Sequence, residues 1–576
     1  MPGYTASLPV AASKHGLARG EVWTSRDGKP FSVWRGLRYA KPPLGERRFR
    51  RPEPLTEEDG WQGEKDFHAE MPRCYQNSVV GGFHMGQEDC LFLNVYTPSL
   101  ADQEKPLPVM VFLHGGGFVA GEGSSTMYGP HFFMDQGVLL VTVQYRLGIF
   151  GFLSTGQEEA PGNNGLWDQR QALLWVKDNI AAFGGDPDRV TLFGESAGSM
   201  AVNFHLVSPQ SRGLFHAAIL QSGTALGPYT SPRNHPTFYA EKVAEAAGCG
   251  DKDTMDCLRA LPARKLQLHL QLFNSDSCSV RSDLGLTYPG PWIPWVDSSL
   301  AQPFLPSSPF DAEDAGVPVI VGFNAEEGLL YTGRLMSFST PSQVDIEKPF
   351  FIVSSSLLLL FSLKKVKVRF QKDPSFYKAF MTDWETCGAV NFLGRERAGV
   401  SREDVARAND LRAAYPDNQQ GLTAMFGDAV FGAGTHLLAK SLAGRGRTVF
   451  KYLFEYRGSS SLADIAMGSI WRSTVAFMRG LFRIPGGEAS GVCHGDELLY
   501  LFQVIPIAQW LTLDRDIEVS RSLVQWWANF AKDHRPDPSW TAASKDDDMK
   551  YWVIGGPGQL GEMQERKELK RLEQWL

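Results

Sequence analysis

The stretch RVTLFGESAG at residues 189–198 limits the local fold more than any other part of the chain. Its first half is apolar or β-branched, which predicts a short buried strand. Its second half matches Gly-x-Ser-x-Gly, a pattern that lets a strand turn sharply into a helix with the serine at the apex. Glycines flank the serine because a Cβ would obstruct the close backbone contacts of such a turn. An apolar helix is expected after it, so Ser196 is a candidate nucleophile.

Strands that are apolar almost throughout alternate with segments of helical periodicity along most of the chain. Such strands are typical of a sheet covered on both faces, and the alternation predicts an α/β fold with a mostly parallel sheet wound with helices. The predicted strands are 20–24, 31–39, 91–96, 108–113, 138–145, 189–193, 216–222, 317–323 and 448–456. The predicted helices are 166–183, 519–532 and 565–576, and residues 335–445 are expected to be largely helical. We expect a single domain over residues 1–576, with an atypical low-complexity insertion at about 335–365.

The composition excludes several classes of protein. Of 576 residues, 43% are hydrophobic and 21% are charged, which is typical of a globular protein with a large core. The formal net charge is -7 and no long basic stripe occurs, so nucleic acid is not expected as a partner. The most apolar run, 350–361, is too short to cross a bilayer, so no stable membrane span is expected.

A serine hydroxyl becomes an effective nucleophile only when a base, usually a histidine held by a carboxylate, removes its proton. After a Gly-x-Ser-x-Gly turn, the expected chain order is serine, acid, histidine. His494 is the leading candidate for the base, because it lies in the loop GVCHGDELLYL, which runs into an apolar helix. His436 and His534 stay open as alternatives.

The acid is expected after a strand that lies between the serine and the histidine. The strand 317–323 meets this condition, and its exit loop contains Glu326 and Glu327. Either of them could be the acid, and Asp297 is a rival.

A glycine-rich loop, LHGGGF at 113–118, directly follows the predicted strand 108–113. It matches the loop that supplies backbone N–H groups to an oxyanion in lipases and esterases. Gly116 and Gly117 would supply two such groups, and Ala197, after the candidate nucleophile, a third. A phosphate-binding loop is disfavoured here, because no Gly-Lys-Ser/Thr follows the loop and the loop itself contains no Gly-x-Gly-x-x-Gly.

At this point the chain resembles the type-B carboxylesterases, the family that also contains cholinesterases and juvenile hormone esterases. The motifs that carry the resemblance are RGLRYAKPPLG (35–45), EDCLFLN (88–94), HGGGF (114–118), YRLG (145–148), NGLWDQ (164–169), FGGDP (183–187), GESAG (194–198), GFNAEEG (322–328) and GVCH (491–494). The resemblance implies an α/β-hydrolase fold, with a large, mostly parallel twisted sheet and helical insertions that form a gorge. It also implies that Glu327 is the acid of a triad with Ser196 and His494, that the hydroxyl of Ser222 helps to orient the triad, and that no metal or organic cofactor is needed.

The resemblance further implies four structural pairings. Two are disulfides and two are buried ion pairs; they are Cys74–Cys90, Cys249–Cys257, Arg48–Glu88 and Arg146–Asp168.

Three departures from the family's subgroups are informative, and the first of them favours an arthropod-like esterase over a true cholinesterase. The loop 74–90 contains Tyr75 and Phe83 but no tryptophan, whereas cholinesterases carry a choline-stacking tryptophan there. The corresponding motif of juvenile hormone esterases is Gly-Gln-Ser-Ala-Gly, whereas this turn has Glu195, a carboxylate beside the candidate nucleophile. Gly290 matches a position of the acyl pocket and predicts a wider pocket.

The sequence therefore predicts a serine hydrolase that cleaves a small-molecule carboxylic ester to acid and alcohol through an acyl-enzyme. Two alternatives stay open: a catalytically silent adhesion or binding protein of the same fold, and a dedicated hormone-ester hydrolase. The implied disulfides favour secretion or the lumen of the secretory pathway. The N-terminal residues show no signal-peptide pattern and the chain has no Asn-x-Ser/Thr acceptor, which favours the cytoplasm.

Overall fold

The computed structural model describes most of the chain. The described residues are 8–77, 84–98, 105–227, 235–250, 254–268, 280–281, 287–288, 291–332, 343–345, 367–369, 384, 401–458, 461–462, 491–504, 514–546, 549–556 and 560–575.

Within these ranges, eleven strands form one mixed sheet in the order β1-β2-β3-β5-β4-β6-β7-β8-β9-β10-β11. The strands are β1 (Glu21–Thr24), β2 (Pro30–Arg38), β3 (Phe92–Pro98), β4 (Leu107–Leu113), β5 (Leu139–Val143), β6 (Gly185–Glu195), β7 (Ala217–Gln221), β8 (Val319–Asn324), β9 (Val449–Phe454), β10 (Lys550–Ile554) and β11 (Gly561–Glu565). Neighbours from β5 to β10 are parallel, and the strands at both edges are antiparallel. The predicted α/β fold is confirmed.

Both faces of the sheet are buried. In β4, Val109, Val111 and Leu113 pack in the core on one face, whereas Met110 and Phe112 pack in the core on the other. Successive side chains of a strand point to opposite faces, so burial of both faces explains why this strand is apolar at nearly every position.

Helices cover the two faces. The described helices are α1 (Gly148–Phe152), α2 (Asn164–Asn179), α3 (Ala197–Val207), α4 (Pro236–Ala247), α5 (Thr254–Ala260), α6 (Ala263–Leu268), α7 (Leu329–Thr332), α8 (Arg402–Ala413), α9 (Gln419–Gly427), α10 (Ala433–Gly444), α11 (Leu498–Leu501) and α12 (Asp514–Asp533). In α12, Val519, Leu523, Trp527 and Phe530 are buried at helical spacing and join the core on the Phe112 face.

Shorter elements connect these parts. Paired short strands are Val10–Ser13, Gly16–Arg19 and Glu64–Asp66; Gln76–Asn77 and His84–Met85; Ser154–Gln157 and Ala160–Pro161; Val280–Arg281 and Thr287–Tyr288; and Gln343–Asp345 and Lys367–Arg369. Short 3₁₀ helices are Gly45–Arg47, Glu57–Asp59, Pro130–Asp135, Ile180–Phe183, Pro209–Ser211 and Lys567–Trp575, and Asp428–Gly432 is a π-helical turn.

Each of the nine predicted strands has a counterpart in the sheet, but the C-terminal prediction of a helix over 565–576 is wrong in two respects. Glu565 ends β11, which pairs with β10 at the edge of the sheet, and the segment after it is a 3₁₀ helix. Neither β10 nor β11 is among the predicted strands; β10 joins the sheet by pairing with β9, which is distant along the chain, and β11 pairs with β10. The predicted insertion at 335–365 lies outside the described residues except for 343–345, and the single domain over 1–576 stays a prediction.

The parallel strands bring three predicted motifs to one edge of the sheet. The glycine-rich loop follows the carboxyl end of β4, Ser196 follows β6, and Glu327 lies three residues beyond β8. Carboxyl ends of parallel strands share an edge, which is where α/β sheets place ligand sites.

The structure contains all four implied pairings. Disulfides join Cys74 to Cys90 and Cys249 to Cys257. The Arg48 Nε donates to Glu88 Oε2 at 2.7 Å, and two guanidinium nitrogens of Arg146 each donate to an oxygen of Asp168 at 2.7 Å. Asp168 is fully buried, so the second pair lies beyond the reach of solvent.

We predict that Asp168→Asn destabilises the fold by about 3–5 kcal/mol, because it leaves the Arg146 charge buried without a counter-ion. The urea midpoint of purified protein measures the loss. Glu313→Gln, in the exposed pair Arg212–Glu313, is the matched control and should change stability by less than about 0.5 kcal/mol. Equal midpoints for the two variants would contradict the prediction.

Candidate active site

Ser196 stands at the turn between β6 and α3, as the sequence predicts. Its backbone has φ 57° and ψ -123°, a conformation that non-glycine residues rarely adopt. A Cβ added to Gly198 would lie 2.0 Å from the carbonyl oxygen of Leu113, so the helix can start this close to β4 only with glycine there. The turn exposes Ser196 partly, whereas its neighbours Glu195 and Ala197 are buried.

The glycine-rich loop lies directly against this turn. A Cβ added to Gly115 would lie 3.0 Å from the Cβ of Ser196. Gly116 and Gly117 have φ values of 112° and 62°, which favour glycine. Ala197 is the first residue of α3, where a helix leaves backbone N–H groups without intrahelical partners. Ala197 thus follows the serine at the start of a helix, and the loop that contains Gly116 and Gly117 contacts the serine at Gly115.

His494 and Glu327 form a buried hydrogen-bonded pair. The Nδ1 of His494 lies 2.6 Å from Oε2 of Glu327, and the two residues are 7% and 2% exposed. The other oxygen of Glu327 accepts the backbone N–H of Asn324 at 2.7 Å. With Glu327 on Nδ1, the proton of a neutral imidazole is assigned to that nitrogen, and Nε2 keeps its lone pair.

The two alternative candidates for the acid bind groups other than His494. Glu326 accepts the backbone N–H of Val492 at 2.8 Å and pairs with Arg457 at 2.9 Å. Asp297 accepts two backbone N–H groups, seven and eight positions further along the chain. Glu327 is thus the one of these three carboxylates that contacts His494 among the described residues.

The two alternative candidates for the base lie in other elements of the fold. His436 is buried within α10, and His534 directly follows α12 with φ 55°. Of the three candidates, His494 is the one that a buried carboxylate in the exit loop of β8 holds.

Glu195 approaches the other side of the same imidazole. Its Oε1 lies 3.1 Å from Nε2 of His494, without the alignment of a hydrogen bond. Burial raises the pKa of the Glu195 carboxyl above its ordinary range, and Glu497 and Glu327 raise it further. Burial alone would lower the pKa of His494, but Glu195 and Glu327 outweigh it and raise that pKa above its ordinary 6.5. Each of the two groups therefore changes the affinity of the other for a proton.

Ser222 is fully buried with φ 55°, and its backbone N–H bonds to the carbonyl of Gly322. Its Oγ has no hydrogen-bond partner in the part of the chain that the structure describes. Its predicted role in orienting the triad stays a prediction.

Sequence reasoning missed Glu497, which anchors the loop of the candidate base. Its two oxygens accept Nε2 of Gln221 at 3.1 Å and Nδ2 of Asn324 at 2.6 Å, so it ties the loop to the ends of β7 and β8. The Nδ2 of Asn324 also donates to the carbonyl of Cys493 at 2.7 Å. The only signal in the sequence is an acidic residue three positions after the histidine, ahead of an apolar run.

Two further observations concern bound groups and membranes. Among the described residues, no group of three or more His, Cys, Asp or Glu side chains could hold a metal ion. Within the same residues, no helix combines the length and apolar character needed to cross a bilayer.

Comparisons with known proteins show which family the chain resembles. The model of the carboxylesterase family matches residues 7–575. A juvenile hormone esterase of Tribolium castaneum is 36% identical over 552 aligned positions, which cover 93% of this chain and 85% of that protein. A carboxylesterase 1E of Rattus norvegicus is 33% identical over 594 positions, covering 98% and 94%. A carboxylic ester hydrolase of Bombus ignitus is 31% identical over 566 positions, covering 95% and 90%.

Proposed function

The chain belongs to the carboxylesterase family, and from that premise we propose that Ser196, His494 and Glu327 are the nucleophile, the base and the acid of a carboxylic ester hydrolase. The observation that carries the assignment is the 2.6 Å contact between His494 and Glu327, both buried, on the sheet edge where Ser196 stands. The chain cleaves carboxylic esters, and the alternative of a catalytically silent binding protein is not favoured by its relatives, which are named as esterases.

Acylation begins when the Oγ of Ser196 attacks the ester carbonyl carbon while Nε2 of His494 takes its proton. Glu327 stabilises the imidazolium through its bond to Nδ1 and does not itself take the proton. Gly116, Gly117 and Ala197 would donate N–H groups to the carbonyl oxygen as it becomes negative, an interaction worth about 3–4 kcal/mol per donor.

The tetrahedral intermediate then collapses and the C–O bond to the alcohol breaks. Nε2 of His494 donates its proton to the leaving alkoxide, so a neutral alcohol departs and Ser196 keeps the acyl group. His494 next takes a proton from water, whose oxygen attacks the acyl carbon, and the proton returns to Ser196 as the acid leaves. No step requires a metal or an organic cofactor.

The substrate class we propose is a small-molecule carboxylic ester of general type. At the position of Glu195, juvenile hormone esterases have a glutamine. This difference supports general ester hydrolysis over a dedicated hormone esterase. Gly290, on which the predicted wider acyl pocket depends, lies outside the described residues. A panel of p-nitrophenyl esters of increasing acyl length measures this width, and retained kcat/KM for long acyl chains supports it.

We also propose that the protein acts outside the cell or in the lumen of the secretory pathway. The disulfides Cys74–Cys90 and Cys249–Cys257 support this location, because such bonds persist in oxidising compartments.

Ser196→Ala should lower kcat by ~10⁶-fold, because no other group at the turn can form the acyl-enzyme. Hydrolysis of p-nitrophenyl acetate measures the loss. Ser199→Ala, three residues further along α3, removes a buried hydroxyl that bonds to the Gly223 carbonyl and should retain most of the activity. An inactive wild type, or an active Ser196→Ala enzyme, would refute the assignment.

Glu195→Gln should move the acid limb of the pH dependence of kcat/KM to lower pH. A carboxylate 3.1 Å from Nε2 favours the imidazolium, so the neutral amide lets His494 lose its proton at lower pH. Profiles for both enzymes between about pH 5 and 9 measure the shift. Glu122→Gln, which removes a carboxylate paired with Arg73, is the control and should leave the limb in place. A limb that stays or rises in Glu195→Gln would contradict the prediction.

Non-reducing peptide mapping of protein from its native source should recover Cys74 linked to Cys90 and Cys249 linked to Cys257. Opening either loop by a cysteine-to-serine pair should cost roughly 2–4 kcal/mol of stability. Recovery of all four cysteines as free thiols would instead place the protein in a reducing compartment.

A further inference from the structure

An aromatic ring contacts the imidazole of His494 in addition to the carboxylates. The ring of Phe431 stacks on it with 4.3 Å between centroids and 25° between planes. Phe431 is 1% exposed and comes from the helical region between β8 and β9, far along the chain from Ser196 and from the loop of His494.

Phe431 lies in the π-helical turn Asp428–Gly432, which joins α9 to α10. A π-turn interrupts the regular helical hydrogen bonds, is rare, and occurs frequently at functional sites. The turn also lies close to the acid, since a Cβ added to Gly427, just before it, would lie 3.3 Å from the Cβ of Glu327.

The first residue of this turn is held from two directions. Oδ2 of Asp428 accepts Nε of Arg571 at 2.5 Å and the hydroxyl of Tyr415 at 2.7 Å. The hydroxyl of Tyr415 in turn accepts Nε1 of Trp575 at 2.9 Å. Arg571 and Trp575 belong to the 3₁₀ helix Lys567–Trp575, so this C-terminal segment anchors the turn that carries Phe431.

A single hydrogen bond at Nδ1 leaves the imidazole free to rotate about the line that joins it to Glu327. Rotation would move Nε2 out of its present position, 3.1 Å from Oε1 of Glu195, the residue that precedes Ser196. A ring stacked on the face of the imidazole opposes this rotation through close packing. The face of a phenyl ring also attracts a cation, so it favours the imidazolium over the imidazole.

We propose that Phe431 is a positioning residue for His494: it holds the plane of the imidazole between Glu327 and Ser196 and stabilises the imidazolium in the transition states of acylation and deacylation. The proposal rests on the assignment of His494 as the base. The competing explanation is plain packing, because Phe431 also belongs to a buried apolar cluster with Tyr331 and Phe426.

Three variants separate these explanations. Phe431→Leu keeps an apolar side chain and removes the ring, Phe431→Tyr keeps the ring, and Phe450→Leu makes the same change in the core on the Phe112 face. Active-site titration with a burst substrate counts the folded enzyme, so kcat refers to competent sites alone.

For Phe431→Leu we expect kcat to fall about tenfold, within the range of a buried cation–π contact, with KM changed by less than about twofold. The loss should be equal for p-nitrophenyl acetate and butyrate, because both reactions use the same base. Phe431→Tyr should restore most of kcat, and Phe450→Leu should leave it unchanged. An unchanged kcat in Phe431→Leu, a loss that depends on acyl length, or an equal loss in Phe450→Leu would overturn the proposal.

Two further variants complete the design. Arg571→Gln should lower kcat without raising KM, because it releases Asp428 and the turn, and a normal kcat there would refute the anchoring role of the C-terminal segment. His494→Gln distinguishes the failures. If it stays active, the assignment of the base is wrong; if it is inactive while Phe431→Leu equals wild type, only the role of Phe431 is wrong.

Discussion

The backbone at Ser196 is the constraint on which the site depends. Its φ of 57° sends the chain from β6 into α3 within one residue, and this is possible only because Gly198 lies against the carbonyl of Leu113. The same closeness presses the glycine-rich loop onto the turn. The fold itself therefore places the glycine-rich loop next to Ser196 and the start of α3. Such preorganisation is what electrostatic stabilisation of an oxyanion requires.

Around the imidazole, the structure concentrates negative charge in a buried space. Glu195, Glu327 and Glu497 all act on His494 and together raise its pKa above the ordinary 6.5. Ionising several neighbouring carboxylates away from water costs free energy. Burial therefore raises the pKa of Glu195 and Glu497, and the neighbouring carboxylates raise it further. The same excess of acid favours the imidazolium, and this is the species that must form when Ser196 gives up its proton.

The sequence predicts the parts of this arrangement that local chemistry dictates. The turn at Ser196, the glycine-rich loop and the strand before Glu327 each need particular residues at fixed spacing, so each leaves a pattern. From the residues alone Glu326 and Glu327 are equivalent, and the resemblance to the family decides between them. In the structure, Glu326 accepts the backbone N–H of Val492 and forms an ion pair with Arg457. The edge strands β10 and β11 are not predicted, because β10 takes its place in the sheet by pairing with β9, which is distant along the chain, and β11 then pairs with β10.

The contacts that hold His494 are likewise of two kinds: some leave a pattern in the sequence and some do not. Glu327 belongs to a motif, whereas Phe431 and Arg571 meet the site only through tertiary structure, and a buried phenylalanine in a helix reads as core. Local opening of part of a protein needs less free energy than global unfolding. If Phe431 holds the imidazole through a turn that the C-terminal segment anchors, then loosening of that segment reaches His494 while the sheet stays intact. Activity would then depend on the bonds of that segment to Asp428 and Tyr415 as well as on the sheet.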